Sequence, residues 1–100
     1  MTLSDWILAT DRGLQDAINL RVPANDVLSL LRSLSASFEA QAVLHGHQNC
    51  ADWSRAVKVH YQDIREAMIA RTGIVEQLKR FRKRLAVLVE PIKRELACTG

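Results

Sequence analysis

Apolar residues along this chain return at intervals of three and four, the spacing that places side chains on one face of an α-helix. Val27, Leu30, Leu31, Leu34 and Phe38 make one such face and predict a helix that buries it. From Val57 onward the spacing settles into a seven-residue repeat. Val57, Ile64, Arg71, Leu78, Leu85 and Ile92 occupy one position, and Tyr61, Met68, Val75, Arg82, Val89 and Leu96 the other. Ile74, Phe81 and Leu88 widen the stripe. Alternating steps of four and three are the pattern of helices packed nearly parallel or antiparallel, as in bundles and coiled coils.

Four interruptions divide this pattern. A first helix, capped by Thr2 or Ser4, ends at Arg21-Val22-Pro23, and the segment Thr10 to Gly13 interrupts its middle. Pro23 suits the first turn of a second helix, where its missing N–H is no loss. The polar stretch His45 to Asn49, which contains Gly46, ends that helix, and Asp52 is placed to help cap a third. At Thr72-Gly73 the register of the repeat continues, yet glycine inside a helix costs about 1 kcal/mol against alanine and little as the left-handed residue at a helix end. Two helices hinged at Gly73 are therefore expected. The expected architecture is all-α: a single domain over residues 1–100, a small antiparallel bundle of three to four helices. One long C-terminal helix is the alternative, and it needs a second copy of the chain, a homodimer, to cover its stripe.

Composition agrees with that architecture. Leu, Ala, Arg, Gln and Glu dominate, and only two prolines and four glycines interrupt them. With 48% hydrophobic and 25% charged residues the chain has the makings of a packed core. A length of 100 residues suits one domain, and no separate catalytic domain is expected. No run approaches the roughly 20 apolar residues that span a bilayer, and Met1 to Trp6 lack the basic region and apolar run of a signal peptide. A cytoplasmic protein without membrane contact is expected, with Cys50 and Cys98 as reduced thiols.

The charge of +3 conceals an asymmetry. Residues 1–52 carry three Arg against six acids, a net of −3, and residues 53–100 carry eleven Lys and Arg against five acids, a net of +6. Such halves attract each other, or the basic half meets an anionic partner. The basic run Lys79-Arg80-Phe81-Arg82-Lys83-Arg84 is the most conspicuous feature. On a helix Lys79, Arg80, Lys83 and Arg84 share a broad face, which suits a protein with an acidic surface, a nucleic-acid phosphate backbone, or plain solvation beside Glu76 and Glu90. Phe81 belongs to the apolar stripe and is not a base-stacking platform, and no helix-turn-helix, zinc-finger or RNA-recognition pattern is present. Arg71 and Arg82 stand where the repeat expects apolar residues. Their stems lie along the seam with the charges reaching water, or they receive an acid from the first half, a partner or an anionic ligand. Trp53 is expected in the core, and Trp6, near the terminus, is a candidate protein contact.

Two other constellations carry possible chemistry. His45, His47 and Cys50 offer three metal-competent side chains, with His60, Asp52 or Cys98 as a fourth, but their spacing matches no zinc motif and no cofactor is implied. The hexapeptide Arg55-Ala56-Val57-Lys58-Val59-His60 resembles the Arg-x4-His signature of the HEPN superfamily, small all-α proteins that include dimeric ribonucleases. That resemblance implies His60 in acid–base transfer at a 2′-hydroxyl and Arg55 steadying charge on the phosphate. Ala56 replaces the polar residue that commonly follows the Arg, and Tyr61 comes one position early. The stretch Phe38 to Ile69 is similar to flagellar and type III export chaperones in composition rather than in motif. The reading favoured by the sequence is a non-enzymatic module, a small regulator, inhibitor, adaptor or chaperone, that binds another protein through the basic last helix or its apolar stripe. A ribonuclease using Arg55 and His60, and nucleic-acid binding through residues 79–84, are the alternatives.

Overall fold

A computed structural model describes residues 2–99, with side-chain surroundings through residue 97; the Cys98 thiol lies outside the described residues. Four helices follow one another: α1 Leu3–Ile18, α2 Ala24–His45, α3 Gln48–Ala70 and α4 Ile74–Thr99. Short connections force each helix to run back along the last. α1 packs on α2 and α4, and α3 packs on α2 and α4, so the chain closes into an antiparallel bundle in which α2 and α3 share the most extensive contact.

Each boundary has a local cause. Thr2 caps α1 through a reciprocal pair of bonds, its hydroxyl accepting from the Asp5 N–H at 3.2 Å while the Asp5 carboxylate accepts from the Thr2 N–H at 3.0 Å. Pro23, extended at φ −68°, precedes α2. Gly46 ends α2 in the left-handed conformation, φ 65°, with its N–H donating to the Ala42 carbonyl. The break after α3 is the expected hinge with its roles redistributed. Arg71, not Gly73, takes the left-handed capping position at φ 57°, and the Thr72 N–H reaches back to the Ala67 carbonyl at 3.1 Å. Gly73, at φ 70°, starts α4 instead, its carbonyl accepting from the Gln77 N–H. The single long helix is thereby overturned: the turn folds α4 back on α3.

Two further expectations need correction. α1 runs unbroken through Thr10 to Gly13. The Thr10 hydroxyl donates to the Trp6 carbonyl at 2.7 Å, so it is buried without loss. A Cβ at Gly13 would meet the terminal methyl of the Leu30 side chain of α2, which would have to move aside. Asp52 does not cap α3, which begins four residues earlier after His47; it lies one turn inside, bonded to Gln48 and Arg55.

The core takes Ile7, Leu14 and Ala17 from α1, Val27, Leu28, Leu31, Leu34 and Phe38 from α2, Val57 and Ile64 from α3, and Leu78, Phe81, Leu85 and Val89 from α4. Between α2 and α3 a polar pair replaces apolar contact. Ser54 donates to the Ser35 carbonyl at 3.2 Å and the two hydroxyls lie 3.2 Å apart, so both buried side chains are satisfied. The repeat read from the sequence describes part of this core: Val57, Ile64, Leu78, Leu85 and Val89 are buried, Tyr61, Met68, Val75, Arg82 and Ile92 are half-buried, and Arg71 and Leu96 are exposed. A Gly13→Val substitution is expected to push α1 from α2 and to cost about 1–3 kcal/mol of unfolding free energy in urea titration. Adding Leu30→Ala should recover part of that loss, because it removes the atoms the new methyls meet.

Candidate basic interface

The cations of α4 divide between two flanks of the helix. Lys79 and Lys83 line a groove toward α1 together with Arg82 and Lys93. Arg84 turns toward α3, where its guanidinium lies 5.7 Å from the Trp53 ring centroid, a cation–π distance. Trp53 itself stacks on Phe38 at 5.9 Å, in the core-packing role its sequence suggests. Lys79, Arg80, Lys83 and Arg84 are all exposed, and among the described residues none forms an ion pair, with Glu76 and Glu90 or with any other acid.

Arg82 behaves differently. Its Nε donates to Asp11 Oδ1 at 3.1 Å across 71 residues of sequence, and Lys93 Nζ stands 3.7 Å from Asp11 Oδ2. The Asp11 side chain is only 10% exposed, so the carboxylate is sunk in the α1–α4 seam and held there by two cations. Of the two arginines on the repeat, Arg82 therefore receives an acid from the first half of the chain, whereas Arg71 projects into solvent at the α3 cap. Asp11 was not singled out by sequence reasoning; its signal was its place one turn after Ile7 and one turn before Leu14, on the buried face of α1. Trp6 is half-buried against the core rather than free at the surface.

The Arg55 and His60 pair is not brought together. They stand five positions apart, about 140° around a helix. Arg55 is exposed and engaged by Asp52, while His60 is 6% exposed and stacked on Phe81 with ring centroids 4.7 Å apart. Neither His60 ring nitrogen has a hydrogen-bond partner, nor does the buried Gln77 Oε1. Burial holds the His60 pKa below its usual value of 6.5, Arg84 and Arg80 push it the same way, and Asp63 opposes them. In this arrangement the ring is buried and packs on Phe81 as an aromatic.

His45 and His47 lie side by side, ring centroids 5.8 Å apart, and Cys50 is a half-buried free thiol. Among the described residues no three His, Cys, Asp or Glu side chains are grouped as a metal site. None of the described helices is long and apolar enough to cross a membrane.

Because unfolding frees His60 to take a proton that the folded core resists, its contribution is full above pH 6.5 and is lost as pH falls below that value toward the lowered native pKa. Melting temperatures are expected to decline over that window in the native chain and to decline less in His60→Leu, which should also be the more stable protein in acid; equal slopes would refute the assignment.

Comparison of the chain with protein-family models, with curated proteins and with solved structures returns no match.

Proposed function

We propose that the protein is a non-enzymatic helical binding module, a regulator, inhibitor, adaptor or chaperone, that engages an acidic surface of another protein through the basic face of α4. The observation that supports this reading is the row Lys79, Arg80, Lys83 and Arg84, exposed and without an acidic partner among the described residues. Where solvation alone is intended, helix surfaces usually intersperse charges that pair at three and four residues. Here Glu76 and Glu90 are near in sequence and pair with none of the four. The apolar stripe, the other surface favoured by the sequence, is largely occupied by the bundle's own core. That shifts the contact to the charged face.

A partner that binds here does so with marked salt dependence, because the contacts are exposed and screened. The test is affinity capture from native lysate with and without nuclease, using the native chain and a Lys79→Gln, Arg80→Gln, Lys83→Gln, Arg84→Gln variant whose melting is unchanged. A protein retained in stoichiometric amount after nuclease, and lost by the variant, is the expected result. Retention that disappears with nuclease, or that the variant keeps in full, would overturn the reading.

A further inference from the structure

The two flanks of α4 are not equivalent. On the α3 flank Arg84 rests on Trp53, and Arg84 and Arg80 are near enough to His60 to act on its charge. The α1 flank is open. A groove of about 330 Å³ runs there between α1 and α4, floored by Ile18, Ala86 and Val89 and rimmed by charge. Lys79, Arg82, Lys83, Lys93 and Glu90 of α4 line it opposite Asp11 of α1, four cations with two carboxylates.

The geometry of Arg82 gives this groove a directed donor. Asp11 accepts from Nε alone, leaving the two terminal nitrogens of the guanidinium with no hydrogen-bond partner among the described residues, and the side chain is 37% exposed. An arginine anchored through Nε has its plane fixed and its outer fork presented, which suits bidentate binding of a second carboxylate. Lys79 and Lys83 stand one helical turn apart beside it and supply mobile charge.

We propose that this groove anchors the partner by receiving carboxylates of an acidic peptide segment, one of them on the outer fork of Arg82, with Asp11 as the positioning residue beneath. The inference rests on the reading of α4 as a face for an acidic protein and assigns the anchor to one flank of it. The excess of cations over acids in the groove is the complementarity that selects such a segment.

The probe is a fluorescein-labelled polyglutamate peptide, titrated by anisotropy at low salt against variants shown by thermal melting to be folded. Lys79→Gln with Lys83→Gln is expected to weaken binding by about tenfold or more, and Arg80→Gln with Arg84→Gln, the same loss of charge on the other flank, far less. Equal losses from the two pairs would overturn the groove while leaving the basic face standing; a native chain that does not bind the probe would remove both. Arg82→Lys keeps the charge but cannot hold Asp11 through one nitrogen and a ligand through a fork, so a drop of about tenfold is expected; native affinity in this variant would overturn the proposal. Asp11→Asn separates position from bulk charge: removing an acid tightens binding if only net charge matters, and loosens it if Asp11 orients Arg82.

Discussion

The seam between α1 and α4 closes over a carboxylate that can be buried there only because something meets it. Asp11 sits on the inner face of α1 among Ile7, Leu14 and Ala17, and a buried charge without a partner is costly enough to reorder the packing. α4 supplies Arg82 and Lys93, and in doing so fixes which part of the last helix lies against which part of the first. Replacing such a pair by apolar residues is often neutral or favourable to stability, so its consequence here is better stated as register than as energy. It also accounts for the arginine that interrupts the apolar repeat of α4. The polar position faces a polar position on the neighbouring helix.

The opposite seam of α4 is made by other means. His60 lies flat against Phe81 with both nitrogens unpartnered, and Trp53 is held between the Phe38 ring and the Arg84 guanidinium. Aromatic faces do there what the ion pair does on the α1 side. The result is an asymmetric helix whose cations are drawn toward an aromatic on one flank and toward an open groove on the other. The acidic first half and the basic second half of the chain meet in the pairs of Arg82 and Lys93 with Asp11 and of Lys58 with Glu39. That attraction leaves the outward row of α4 unneutralised.

Much of the fold was legible in the sequence because it is written in short-range terms. Intervals of three and four marked the buried faces of α2, α3 and α4, Thr2 was one of two caps offered for α1, and Gly46 and Gly73 marked the two later turns. The errors were also local in kind. Gly13 reads as a breaker from composition, yet α1 runs through it, with the Leu30 side chain of α2 lying against the place a Cβ would take. The left-handed cap fell on Arg71 rather than on Gly73, since the carbonyls at the end of α3 are satisfied by the residues that reach them.

By itself the sequence determined an all-α chain of helices with one apolar face each, its turns, and a basic last helix, all of which follow from side-chain periodicity and backbone preference within a few residues. Only the tertiary structure decided which polar residues those faces conceal. Asp11 and Arg82 are 71 residues apart, and Arg55 and His60, five apart, are turned to opposite environments. Sequence proximity tells which side chains share a helix. Only the packing of helix on helix brings charges into contact, buries a histidine, or leaves a groove open, because those depend on distances that no local interval encodes.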